Sequence, residues 1–141
     1  MIPPILLDTN VILDFFMERG EHYATARETM EKIEEGRLNA HVSASQITDV
    51  YYVLEKELSH EEALRIIIEV INSVRVISVD ETTIRRATTL PMADFEDAVQ
   101  TVAALDFGIN IVVTRDKKGF LGSGLQVYSP EDFLELFESK P

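Results

Sequence analysis

The chain has 141 residues, of which 45% are apolar and 27% charged, the make-up of a globular domain with a real core rather than of a disordered segment. Cysteine is absent, and the three histidines, His22, His41 and His60, fall in distant segments; this excludes a disulfide framework, a thiolate zinc site and cysteine nucleophilic chemistry, and argues against a His-rich metal centre. Thirteen Lys and Arg against 25 Asp and Glu give a formal charge of −12, which does not support a broad basic face for gripping nucleic acid but is compatible with a nuclease whose cleft is acidic because it holds metal.

The chain opens on Met1-Ile-Pro-Pro, too short and without the basic residues of a signal peptide, and no apolar run reaches the roughly 18–20 residues of a membrane span, so a cytoplasmic protein is expected. Ile5-Leu6-Leu7, bounded by Pro4 and Asp8, reads as a buried strand. Thr9-Asn10 can cap a first helix carrying Val11, Ile12, Phe15 and Phe16, closed by Gly20. A second helix over 21–35 ends at Gly36, and Leu38 to Val42 suits a second strand. Ser43 and Gln46 have the spacing of a capping box, opening a helix with an apolar stripe at Ile47, Val50, Tyr51, Leu54 and Leu58. Ser59 and Glu62 repeat the box before a helix over Ala63 to Ile71. Val74 to Val79 is a third strand, and Asp80 caps a helix over 81–90 that Pro91 breaks. Asp94 caps the next helix, which runs to Phe107; Ile109 to Thr114 is a fourth strand, followed by a polar turn, Arg115 to Gly119. Leu125 to Tyr128 is a short fifth strand, and Ser129-Pro130-Glu131-Asp132 starts the last helix, which carries Phe133, Leu134, Leu136 and Phe137.

Strands alternating with helices imply parallel pairing: an α/β three-layer sandwich, with a parallel sheet of about five strands flanked by helices, in a single domain over 1–141. In such sheets ligands sit beyond the carboxyl ends of the strands. If strand one is central, Asp8 and Asp116 emerge at the same edge, and helices entering there bring Asp49 and Asp97 towards them. Carboxylates crowded in one cleft repel unless a cation sits among them or some are protonated, and all-oxygen ligands select a hard divalent ion such as Mg²⁺ or Mn²⁺. Each acid also has a plainer reading: Asp8 and Asp116 as turn formers, Asp49 as a solvated surface acid, Asp94 as a helix cap, Asp97 as a first-turn acid, and Asp14 as a polar-face residue. Arg115, Lys117 and Lys118 flank Asp116 and either hold phosphates or form a solvated turn.

Leu7-Asp8-Thr9-Asn10-Val11-Ile12-Leu13-Asp14 resembles the N-terminal motif of PIN domains. Thr48 to Leu54, Asp94 to Gln100 and Val113-Thr114-Arg115-Asp116 fall where that family's other motifs fall, and the subgroup it is most similar to is that of prokaryotic VapC-like toxins. The resemblance implies a ribonuclease that uses Mg²⁺ or Mn²⁺ and leaves 5′-phosphate and 3′-hydroxyl ends. It implies Asp8, Asp97 and Asp116 as metal ligands and Asp49 as a further catalytic acid, at a position where many relatives carry the longer Glu. Asn10 and Thr114, with Asp94, would orient the carboxylates or water around them, and Arg115, Lys117 and Lys118 would meet RNA. An accessory acid common after the Asp116 position is replaced by Lys117-Lys118-Gly119. The resemblance further implies a homodimer and an antitoxin partner. Phe15, Phe16 and Tyr23 either line such an interface or fill the core.

Two rivals stand beside this reading. One is a non-catalytic PIN-like module that binds protein or RNA. The other is a phosphoacceptor receiver domain, which matches poorly: strand one offers Asp8 alone where an acidic pair is needed, and Asp80 after strand three reads as a cap.

Overall fold

The computed structural model describes residues 2–139; Met1, Lys140 and Pro141 of the expected 1–141 domain lie outside the described residues. Five strands, β1 (Pro4–Leu7), β2 (Asn39–Ser43), β3 (Arg75–Ile77), β4 (Ile111–Val113) and β5 (Gln126–Tyr128), form one sheet in the order β3-β2-β1-β4-β5, parallel throughout. Seven α-helices are described: α1 (Thr9–Phe16), α2 (Tyr23–Glu34), α3 (Ala44–Glu57), α4 (His60–Ser73), α5 (Glu81–Ala87), α6 (Phe95–Asp106) and α7 (Pro130–Ser139). This is the expected three-layer α/β sandwich.

A parallel sheet is covered on both faces, so its central strand reads as an unbroken apolar run. Ile5, Leu6 and Leu7 are fully buried, each contributing about 1.5–3 kcal/mol relative to exposure. Alternation assigns them to opposite layers: Ile5 and Leu7 join the core beneath α1, α2, α3, α4 and α7, whereas Leu6 joins Val112, Ala103 and Ala104 beneath α6. Phe15, Phe16 and Tyr51 pack partly buried against the first core, and Phe15 stacks on Tyr23 at 6.2 Å. Two sequence expectations shift by a few residues. Asp8, not Thr9 or Asn10, is the N-cap of α1, and α1 ends at Phe16, with Gly20 opening a short 3₁₀ turn over Gly20–His22. The helix over 81–90 stops at Ala87, before Pro91.

Strand order reverses between β1 and β4, which opens a crevice at their carboxyl ends. Three local features build its rim. The Asp8 N–H donates to the Val113 carbonyl at 3.0 Å, locking the first residue past β1 to the last of β4. The buried Gln46 of α3 accepts from the Ser43 N–H at 2.8 Å, half of the expected capping box, and its amide donates to the Leu7 carbonyl at 2.8 Å, tying α3 to the end of β1. Gly122 (φ 86°) lies so close to the loop before α6 that a Cβ there would fall 2.2 Å from the Pro91 carbonyl oxygen, which seats that loop against the turn after β4.

Candidate active site

The crevice is a cleft of about 340 Å³ whose lining includes six carboxylates, Asp8, Asp49, Asp94, Glu96, Asp97 and Asp116, with Asn10, Gln100 and Arg19. Asp8 ends β1 and is 6% exposed. Its Oδ1 accepts the Thr9 N–H at 2.8 Å; its Oδ2 accepts the Thr114 hydroxyl at 2.7 Å and the Asn10 amide at 3.2 Å. Burial raises its pKa; bonds from Thr114, Thr9 and Gln100 pull it back, and the charge of Asp116 adds to the rise. Asn10 and Thr114 thus both donate to the same Asp8 oxygen. Asn10 also accepts the Arg115 N–H at 3.3 Å, and Thr114 accepts the Asp116 N–H at 2.9 Å, so one polar lattice fixes Asp8 and Asp116 together.

Asp97 sits in the first turn of α6 and donates its N–H to the capping Asp94 carboxylate at 2.9 Å. Asp94 is therefore the cap and also lines the cleft. Burial first, and then the charges of Asp8, Asp94, Asp116 and Glu96, push the Asp97 carboxyl up to about 7. Asp49 on α3 is half-buried and faces this group; burial and Asp94 raise its pKa. Glu96 is raised by Asp49, by burial and by Asp94. Asp116 follows β4 and accepts the Gly119 N–H at 3.3 Å, combining turn formation with cleft lining. A Cβ added at Gly119 would lie 2.6 Å from Asp97 Oδ2 and 3.0 Å from Asp116 Oδ2, so the absent side chain leaves both carboxylates their room.

The basic residues after β4 do not line the cleft. The Arg115 guanidinium is held by the buried Asp14, with Nε and Nη2 at 2.8 and 3.0 Å from its two oxygens. Asp14, 2% exposed, is a core residue rather than a polar-face one. Lys117 and Lys118 are exposed on a 3₁₀ turn, and Lys117 borders a separate groove with Tyr128 and Asp132. Sequence reasoning missed Glu96, Gln100 and Arg19. Gln100 carried a signal, since three residues after Asp97 places it on the same face of α6. It is buried, and its Oε1 has no hydrogen-bond partner among the described residues.

The donor set suits a hard divalent cation: carboxylate oxygens only, negative charge uncompensated at Asp97, a cradle beside Gly119, and an orphaned amide oxygen in the lining. Among the described residues, no group of three His, Cys, Asp or Glu side chains is arranged to hold an ion as it stands. No described helix is long and apolar enough to cross a membrane.

The family profile of the PIN domain matches residues 4–118, and the chain belongs to that family. No curated protein matches it. Among solved structures, a chain of VapBC2 from Rickettsia felis, bound to a DNA fragment from their promoter, superposes with a TM-score of 0.69 at 13% identity, over 89% of this chain and 98% of that one. DNA-bound VapBC from Salmonella typhimurium gives 0.69 at 19% identity, over 92% and 99%. Mycobacterium tuberculosis VapC20, described as a sarcin-ricin loop cleaving toxin, gives 0.62 at 16% identity, over 77% and 86%. The fold is thus that of the VapC-type structures.

Proposed function

We propose that the chain is a single-domain endoribonuclease dependent on Mg²⁺ or Mn²⁺, and the toxin of a toxin–antitoxin pair. The observation that carries this reading is the convergence of six carboxylates on the strand-order switch point, where burial and the neighbouring acids push Asp97 up to about 7. Asp8, Asp97 and Asp116 would hold the cation, with Asp49 beside them. When bound, it supplies Lewis-acid polarisation of phosphate oxygens and a more acidic water. The chain's own residues provide orientation and charge. Thr114 and Asn10 fix Asp8 Oδ2, and Thr9 fixes Oδ1. The lattice through Thr114 and Asn10 keeps Asp116 and Asp8 in register across two strands. Asp97, its carboxyl pushed up to about 7, would release its proton on holding a cation.

The net charge of −12 is no bar, since repulsion between RNA and distant carboxylates is screened beyond about 8 Å at physiological salt. The antitoxin partner is supported by the VapBC complexes among the structural neighbours. A homodimer and a cytoplasmic location complete the reading. The test is cleavage of structured RNA by purified protein in Mn²⁺. Cuts that vanish with chelator and with Asp97→Asn are expected, and intact RNA at micromolar enzyme would refute the activity.

One observation favours the non-catalytic module: among the described residues, no three acids stand ready to hold an ion. A protein that binds RNA equally with and without Mn²⁺, and never cuts it, would fit that reading instead.

A further inference from the structure

We propose that Arg19 binds a phosphodiester group of the nucleic-acid strand entering the acidic cleft, an inference that rests on the nuclease reading above. Arg19 is the one cation among the described residues that line the cleft. A guanidinium placed among six carboxylates would ordinarily fold onto one of them. Arg19 makes no ion pair with any of the six. Its nearest acid is Asp14, at 3.8 Å from Nη1, and both Asp14 oxygens are already taken by Arg115 at 2.8 and 3.0 Å. Its remaining contact is a weak one, Nη2 to Met17 Sδ at 3.6 Å. The side chain is 35% exposed. It therefore keeps free donors in a site whose other charged groups are anions.

The backbone explains how it is held there. Helix α1 ends in a Schellman turn: the Glu18 N–H donates to the Phe15 carbonyl at 3.3 Å, and the Arg19 N–H to the Asp14 carbonyl at 3.0 Å. The left-handed position of this motif normally belongs to Gly. Here it is Glu18, at φ 48°, and Gly20 follows at φ 47°. Arg19 is thus bracketed by two left-handed residues, one of them strained. The turn sets where the Arg19 side chain leaves the chain, and the long ion pair to Asp14 at 3.8 Å is shared with Arg115. The other charged groups that line the cleft are carboxylates, which a polyanion would avoid. A guanidinium fork matches two phosphate oxygens, and Arg19 is the group placed to offer it.

The test is fluorescence-anisotropy binding of a single-stranded RNA oligonucleotide, in Ca²⁺ and over a salt series, with RNA integrity checked on gels. Wild type is compared with Arg19→Gln and Arg19→Lys, and thermal melts establish that each folds. Arg19→Gln is expected to weaken RNA binding roughly tenfold and to flatten the slope of log affinity against log salt by about 0.7, one phosphate contact on a single strand. Arg19→Lys is expected to restore the slope and part of the affinity. Mn²⁺ binding without RNA, read by calorimetry, should be undiminished in Arg19→Gln. Wild-type affinity and slope in Arg19→Gln would overturn the proposal and leave the nuclease reading standing. Parallel loss of RNA and Mn²⁺ binding would overturn it in favour of a prop for the cleft. A wild-type protein that neither binds nor cuts RNA would overturn both.

Discussion

Two buried aspartates lie six residues apart, one at each end of α1, and their surroundings are opposite. Asp14 is 2% exposed and is neutralised by a bidentate Arg115, with Arg19 close by. Asp8 is 6% exposed and meets hydroxyl, amide and backbone donors, with further carboxylates beyond them and no cation paired to it. Burying a charge is tolerable when the fold supplies the partner. At Asp14 the chain supplies it and the result is architecture: the end of α1 is tied to the turn after β4. At Asp8 the chain supplies orientation without a paired cation; close by, burial first and then the charges of Asp8, Asp94, Asp116 and Glu96 push Asp97 up to about 7. Charge gathered without partners costs stability, and the proposed cation site is what such an arrangement would serve.

The contrast breaks most visibly at Asp14. Asp14→Ala strands Arg115, a third of which is exposed, and should cost about 2–4 kcal/mol in urea unfolding. A loss below about 0.5 kcal/mol, the range of ordinary surface changes, would show that the pair is not structural. Asp97→Asn should act in the opposite direction. Removing a crowded charge, whose carboxyl is pushed up to about 7, should raise stability at pH 8 by about 1–2 kcal/mol, while RNA cleavage falls at least about a hundredfold. Destabilisation by Asp97→Asn would contradict the account.

The pH dependence of stability follows from the same group. The folded-state pKa of Asp97 is raised from 3.8 to about 7, so between those values the folded chain binds more protons than the unfolded one. Its contribution is therefore most favourable below pH 4, declines as pH rises through that window, and is lost above 7. Asp8, Asp49 and Glu96 are displaced in the same direction. Mn²⁺ should reverse the trend, raising the Tm at pH 8 more than at pH 5, because the ion must displace protons at the lower pH. An equal rise at both values would sink the assignment. The smallest change in the fold is at Gly119→Ala. Its Cβ meets only the flexible ends of Asp97 and Asp116, so stability should move by less than about 0.5 kcal/mol. Mn²⁺ affinity should nevertheless fall about tenfold as those carboxylates are displaced, and an unchanged affinity would remove the cradle from the site.

Much of this arrangement was legible in the sequence. Short apolar runs ending in Asp8 and Thr114-Arg115-Asp116, separated by helical stretches, led to a parallel sheet with its acids at one edge, and the motif resemblance led to the PIN domain family. Capping patterns located α4, α5 and α6 closely, because caps are local chemistry. What escaped depended on tertiary contacts. Asp14 sits at a spacing that reads as a helix's wet face, and only the return of the chain 101 residues later, with Arg115, turns it into a core residue. The same contact, invisible in the sequence, engages the Arg115 guanidinium. Glu96 and Arg19 become cleft residues only once α6 and the end of α1 meet across the sheet edge.

The central claim is that the Asp8 side of α1 is built for a cation and the Asp14 side is not. The most direct measurement is a calorimetric Mn²⁺ titration at pH 8 of wild type and Asp97→Asn, with folding of both verified by circular dichroism. The account predicts saturable binding by the wild type that disappears in the folded variant. Absence of binding by the wild type at millimolar Mn²⁺, or equal binding by Asp97→Asn, would contradict it.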